Sequence, residues 1–413
     1  MNTKKVVVLS AMAATAVASA EVMDRPSGIK IGERMTLRPY VSLSYTYDSN
    51  VDSTKHAKAG NQWVVNPSAE LEYRGDNWGV DGTIYYQYHA YQHYTRQLNE
   101  SGYGERLRFN WTDSKPDEKG WQVMFSEQFR QIAQDDDMSN SGGRGIGRDR
   151  KEFTGEGVIE RRLNAYWHAA AIGNYYLLDY DNNVNKYAPL YGWKRAVAGA
   201  EIGFAPSKWT DILLHANYQW YWQDNDSVDP AVSSRSLRSD SKGWSLMAGL
   251  GSHATERITY RALGGWSCFE YAGASRNNGF TYQLSGKWNI DDTLNLMALG
   301  SSYYQPSEYQ IGSAIKVNTF SVGLGKSLVR GKLNTTVDFA YRNESHTYSL
   351  SSSDEVNQDI WTARLGANYR LNRFFSVFGS MEYQTSDSNG SQSRAHRYDY
   401  DRFRGTVGVR LSY

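Results

Sequence analysis

The chain of 413 residues contains one cysteine, Cys268, and a single thiol excludes an internal disulfide framework. Beyond residue 20 there is no long apolar run, so nothing in that part offers the about 20 consecutive apolar residues of a membrane-spanning helix. Lys and Arg number 45 against 44 Asp and Glu, and the lack of a basic excess argues against a nucleic-acid partner. Leu and Ile are sparse for a packed core of this length. The mean hydropathy of −0.65 belongs to a water-soluble chain, unless only alternate residues of each element meet an apolar medium.

What the sequence does have is aromatic residues and a period of two. Aromatics make up 14% of the chain, with Tyr (31) far ahead of Phe (13), and amphipathic rings suit an interface between oil and water. The last twelve residues alternate strictly. Phe403, Gly405, Val407, Val409, Leu411 and Tyr413 fall on one face, and Arg402, Arg404, Thr406, Gly408, Arg410 and Ser412 on the other. A strand of this kind, ending on an aromatic, resembles the C-terminal assembly signal of bacterial outer-membrane β-barrels. At the other end, Lys4 and Lys5, the apolar run 6–17 and Ala18-Ser19-Ala20 have the layout of a cleaved export signal, with cleavage expected after Ala20.

Tight polar turns are expected at 75–77, 114–119, 163–165, 206–208, 254–256, 290–292, 329–331 and 371–373. Between them lie longer connections rich in Asp, Asn, Ser, Gly and Arg, clearest at 49–61, 134–149, 224–240, 346–357 and 387–397. Short turns on one rim and long loops on the other is the asymmetry of an outer-membrane barrel. Each turn closes a hairpin; with a first strand at 36–48 and a last at 402–413, the count is about 18 strands, or 16. The expected organisation is a signal peptide (1–20), a short periplasmic lead (21–35) and one all-β transmembrane antiparallel barrel (36–413). Arg162-Leu163-Asn164 and Arg370-Leu371-Asn372 open two hairpins alike, a shared turn grammar without a fixed repeat period.

Charge sorts by face. Leu37, Val41, Leu43, Tyr45 and Tyr47 oppose Arg38, Ser42, Ser44, Thr46 and Asp48; Val337, Phe339 and Tyr341 oppose Asp338 and Arg342; Trp361 and Leu365 oppose Arg364. A basic group facing lipid at mid-bilayer costs about 2–4 kcal/mol, so the charged face is expected to line the interior. Arg38, Glu70, Glu72, Arg106, Arg108, Asp338, Arg342, Arg364, Arg402, Arg404 and Arg410 are therefore expected to point inward, selecting solutes by charge and size or bracing the wall by pairing across it. A closed barrel also satisfies every backbone amide where water is absent.

The stretch Leu37-Arg38-Pro39-Tyr40-Val41-Ser42-Leu43-Ser44-Tyr45-Thr46-Tyr47-Asp48-Ser49-Asn50-Val51, with the C-terminal strand, resembles the β-barrel porin family that includes exopolysaccharide-operon outer-membrane proteins. The resemblance implies an outer-membrane barrel in a Gram-negative-type cell and a role in moving or secreting polysaccharide.

No motif points to catalysis. His89 and His93 would stand about 13 Å apart on a strand, too far to share a metal ion. Gly323-Leu324-Gly325-Lys326-Ser327 lacks the earlier glycine of a phosphate-binding loop and lies inside a strand. Acidic runs such as 135–137 have no defined calcium-loop spacing. The chain is thus expected to need no cofactor or metal and to work as a porin-like channel, passing small hydrophilic solutes or saccharides down their gradient. The other readings are a component of exopolysaccharide export, and a surface barrel that transports nothing (adhesin or structural). Expected partners are outer-membrane lipid and lipopolysaccharide, the barrel-assembly machinery acting through the strand ending at Tyr413, and the solutes themselves.

Overall fold

The computed structural model describes residues 28–51, 57, 59–92, 100–113, 119–132, 150–180, 192–207, 209–223, 240–252, 257–271, 276–306, 314–347, 356–389 and 399–413. The export signal expected at 1–20 and most of the long connections lie outside the described residues. The strands are β1 (Ile29–Ile31), β2 (Met35–Asp48), β3 (Gly60–Arg74), β4 (Trp78–Tyr91), β5 (Glu100–Thr112), β6 (Gly120–Ile132), β7 (Arg150–Arg162), β8 (Trp167–Tyr180), β9 (Trp193–Ser207) and β10 (Thr210–Gln223). They continue as β11 (Asp240–Ser252), β12 (Ile258–Tyr271), β13 (Arg276–Asn289), β14 (Leu294–Pro306), β15 (Ala314–Leu328), β16 (Leu333–Thr347), β17 (Val356–Arg370), β18 (Phe375–Asn389) and β19 (Tyr400–Ser412).

Each strand from β2 on pairs antiparallel with its sequence neighbour, and β19 pairs with β2 from Arg404↔Asp48 to Ser412↔Tyr40. The result is a closed barrel of 18 strands with one strand, β1, outside it. The expected count of 18 holds. Within the lead at 21–35, Ile29–Ile31 folds back on β2, with Ile29 opposite Leu37 and Ile31 opposite Met35.

Alternation sets the two surfaces. Along β19, Phe403, Val407 and Leu411 are exposed on the outside, whereas Arg402 and Ser412 are buried within. The outside carries aromatic rings near both rims. Trp78, Trp121, Trp167, Trp209 and Trp288 lie toward the short turns, and Trp63, Trp220, Trp244, Trp266 and Trp361 toward the long connections. Rings in two such bands mark the boundaries of an apolar slab.

Three of the short turns are held by a common device. Asn164 Oδ1 accepts from the Tyr166 and Trp167 amides (2.8 and 2.9 Å), and Asn372 Oδ1 from the Phe374 and Phe375 amides (2.8 and 2.9 Å). A short side chain thus closes the turn where the backbone ladder ends, and the paired Arg-Leu-Asn segments share one geometry. Asp291 serves the β13–β14 turn in the same way, accepting from the Thr293 and Leu294 amides.

The wall curls tightly between β9 and β14. Arg261 on β12 reaches Glu201 on β9, and the Tyr221 hydroxyl on β10 donates to the Tyr304 carbonyl on β14 at 2.9 Å. Four strand spacings run about 19 Å along a flat sheet, so one hydrogen bond across them demands a sharp bend. Glycines permit it: Gly265 stands opposite Met247 and Gly249 opposite Leu263, all on the inner face. Leu213, Met247 and Leu263 fill the inside of this corner. Pairing of β13 with β14 covers only their lower ends, from Gln283↔Ser301 to Asn289↔Asn295, so the upper part of β14 leaves that ladder.

Candidate functional site

By strand register, all the charged residues expected to point inward fall on the face opposite the exposed apolar row. On β2 and β3, Arg38 lies across from Glu70 and its guanidinium meets Glu72 at 2.6 Å. On β5, Arg106 faces Thr83 and Arg108 faces Asp81 across the ladder with β4. Asp338 lies across from Arg364, which pairs in turn with Glu382 on β18. Arg342 binds Glu344 within its own strand, Nε to Oε1 at 2.6 Å. Arg402 and Arg404 both address Asp48 across the closing seam, and Arg410 lies over the Tyr40 ring at 5.0 Å.

Burial of these groups is graded. Toward the short turns of β2, β3 and β17 the inner side chains are partly open: Arg364 is 24% exposed, Glu72 21% and Arg38 12%. Toward the long connections they are enclosed: Arg402 is 3% exposed, Arg342 8% and Glu344 2%. The enclosed level continues around the barrel through His89, Arg150, Glu152, Tyr176, Arg195, Tyr221, Gln358 and Tyr400. On the side of β2, β3 and β17 the interior is a vestibule at the short-turn end leading to a tight belt at the long-connection end, whereas on the bent side His168, Ala205, Asp211 and Asn295 are buried at the short-turn end as well.

The belt follows a rule of electrostatic balance. A buried ion without a partner is costly, whereas a paired and hydrogen-bonded one is tolerated. Asp48 takes Arg402 at 3.0 and 2.9 Å, Glu152 takes Arg150 at 2.7 Å and also Arg130, and Glu344 takes Arg342 and lies 3.3 Å from His346. Somewhat lower, Glu201 takes Arg261 at 2.8 Å and His215 at 3.1 Å.

On the bent side the belt encloses a cavity of ≈ 80 Å³. Phe269 and Tyr304 border it, and they belong to an aromatic layer with Tyr176, Trp193 and Tyr221. The cavity walls carry Arg195, Asn174, Asn217, Gln219 and Gln283. Tyr303 and Tyr304 both border it, neighbours in sequence that would face opposite ways on a regular strand. They do so where β14 has left the β13 ladder.

Arg195, Glu201, His215, Arg261 and the Arg150–Glu152 pair were not anticipated from the sequence. Their signal is faint because the other face of β8 and β9 carries Ala169, Ala171, Gly173, Ala196, Ala198 and Ala200, too small to mark it as lipid-facing. The expectation that charge is confined to the inside also needs correction. Glu105 sits across from Ile84 and Phe129, and Glu127 across from Leu107, all on the outer face. Two carboxylates thus stand on the outer wall between the aromatic bands. Acidic groups are tolerated there better than Lys or Arg, which is why strands with such an exception still hold. Among the described residues no group of His, Cys, Asp and Glu is arranged to hold a metal ion, and His93 lies outside them.

An aromatic-banded closed barrel with a charged interior defines an outer-membrane β-barrel. Residues 214–413 match the family described as "Putative beta-barrel porin 2", so the family resemblance read from the sequence holds. The matched stretch includes the C-terminal strand but not the opening segment 37–51. No curated protein sequence matches the chain. Among solved structures, the ferric enterobactin receptor PfeA of Pseudomonas aeruginosa is 8% identical, with 91% of this chain and 81% of that chain covered and a TM-score of 0.43. The outer membrane protein opdK of the same organism is 12% identical (91% and 99% covered, TM-score 0.41). A loop deletion mutant of OmpT, an outer membrane protein of Vibrio cholerae, is 9% identical (92% and 100% covered, TM-score 0.38). These likenesses concern barrel architecture alone.

Proposed function

We propose that the protein is a porin-like channel of the outer membrane, through which small hydrophilic solutes or saccharides diffuse passively. The observation that supports this best is the placement of Arg38, Glu72, Arg106, Arg108 and Arg364 on the inner wall of the vestibule, none of them fully buried. A barrel serving only as scaffold has no use for an accessible charged wall, whereas a diffusion path needs charge that meets the solute on its way in. The short turns face the periplasm and the long connections the cell exterior, and the chain is exported and inserted through its C-terminal strand. No catalytic role is assigned to it, and no cofactor.

The test is electrical. Purified protein in a planar bilayer is expected to give discrete conductance steps in KCl, with Arg106→Glu and Arg108→Glu shifting ion selectivity toward cations. Silence at every voltage, with the protein shown to be folded by its heat-modifiable mobility on gels, would remove the channel reading.

A further inference from the structure

We propose that the cavity beside the aromatic layer is a binding subsite for the carboxylate end of a hydroxylated solute, a sugar acid or the acidic end of a short saccharide, held by Arg195. The proposal rests on the channel reading for its solute class, but the subsite itself stands on local geometry.

Arg195 is 1% exposed. One nitrogen, Nη2, donates to Asn174 Oδ1; Nε and Nη1 are buried with no hydrogen-bond partner. Among the described residues no carboxylate lies within ion-pair distance of it. Every other fully enclosed arginine of the belt has one: Arg402 has Asp48, Arg150 has Glu152 and Arg342 has Glu344. Leaving one guanidinium buried and only partly satisfied is costly to the fold. The barrel tolerates it at the one belt arginine that lines the cavity.

The chemistry of the walls narrows the ligand. The second arginine of the cavity, Arg261, is balanced by Glu201, and Glu156 meets Asn174 Nδ2 (3.4 Å) and not the guanidinium, so Arg195 presents one positive charge with no direct counter-ion among the described residues. That matches a carboxylate, whereas a phosphate dianion would leave a buried charge of its own. Asn217, Gln219 and Gln283 supply amide donors and acceptors, which suit hydroxyl groups. Phe269 and Tyr304, stacked at 6.1 Å between centroids, offer ring faces to C–H groups of a sugar. The volume is about five to eight times the least space one water requires. It admits a carboxylate with a short hydroxylated fragment, not a whole oligosaccharide.

The probe is D-gluconate, with glucose and inorganic phosphate as comparisons, applied to the full-length protein. Binding is read by titration calorimetry in detergent and, separately, as block of KCl conductance in a bilayer. Gluconate is expected to bind and to interrupt current, glucose and phosphate much more weakly. Arg195→Gln is expected to weaken gluconate by about tenfold or more, the loss of one charge-assisted interaction, while KCl steps persist. Asn174→Asp places a carboxylate on Arg195 from inside, beside Glu156; it is expected to abolish gluconate binding while heat-modifiable mobility and KCl steps persist, so misfolding cannot explain the loss. Equal binding of gluconate by wild type and both variants, or no binding by wild type, overturns the subsite. Tighter binding of phosphate than of gluconate overturns the carboxylate assignment. Calorimetric binding without any conductance would sink the channel reading and leave the subsite standing; conductance without binding does the reverse.

Discussion

Arg402 clasps Asp48 across the seam where the last strand meets the first, its Nε 3.0 Å from Oδ1 and 2.9 Å from Oδ2. The carboxylate also accepts the Asn50 amide at 3.0 Å, so its oxygens are well used. The partners are 354 residues apart in sequence, and the pair completes only when the barrel closes. Removing one member strands the other in an enclosed site, at a cost of about 3–5 kcal/mol. Arg402→Gln and Asp48→Asn are each therefore expected to lower the urea midpoint of the folded barrel markedly. Asp48→Asn combined with Arg402→Gln is expected to recover much of the loss, because both charges go. If the double variant is as unstable as the sum of the single ones, the pair does not act as a unit.

Glu105 and Glu127 test the opposite side of the wall. Each stands on the outer face among Ile84, Leu107 and Phe129, where lipid cannot solvate a charge. Glu105→Leu and Glu127→Leu are each expected to stabilise the barrel in phospholipid vesicles by about 1 kcal/mol, less than a basic group at mid-bilayer would yield. A loss of stability would mean that these carboxylates face protein, not lipid.

The alternation of β2, β16, β17 and β19 was legible because large apolar residues and charges take turns there without interruption, and the turn segments were legible from Asn and Asp at fixed places. Arg195 was not. Its strand reads Trp193-Lys194-Arg195-Ala196-Val197-Ala198, with two adjacent bases and alanines between, so neither face declares itself. The tight bend at β10–β13 was equally hidden. It depends on which glycine meets which side chain across strands, a matter of register that no single segment contains.

That bend yields a sharp prediction at two glycines. A Cβ on Gly249 would run into the Ala262 carbonyl, and one on Gly265 into the Leu246 carbonyl. Backbone cannot yield as a side chain can, so Gly249→Ala and Gly265→Ala are each expected to destabilise the barrel by at least about 1–3 kcal/mol. Gly157→Ala and Gly173→Ala, with open space at the same position, are expected to be neutral within about 0.5 kcal/mol. Denaturant titration of the four variants in one detergent decides it. Equal effects would mean that the corner is not set by these contacts.

Asp291 gives the pH dependence its sign. Its carboxylate accepts from the Thr293 hydroxyl (2.7 Å) and amide (2.6 Å), and from the Leu294 amide (2.8 Å). These bonds to Thr293, with the Lys326 ammonium 3.6 Å away, hold its pKa below the ordinary carboxylate value. A group whose folded pKa is depressed contributes stability that is fully present above the unfolded value and is lost as pH falls through the folded one. Asp291→Ala is thus expected to lower the urea midpoint at pH 7. The gap from wild type should narrow as the pH falls through the depressed folded pKa, and Asp291→Asn, which keeps an acceptor oxygen, is expected to show a smaller gap at pH 7 that changes with pH by the same amount, because only the wild-type carboxylate titrates. The measurement is the difference in midpoint between wild type and each variant across that range. A gap for Asp291→Ala that stays constant down to strong acid would show that the carboxylate's charge contributes nothing and that the turn is held by backbone alone.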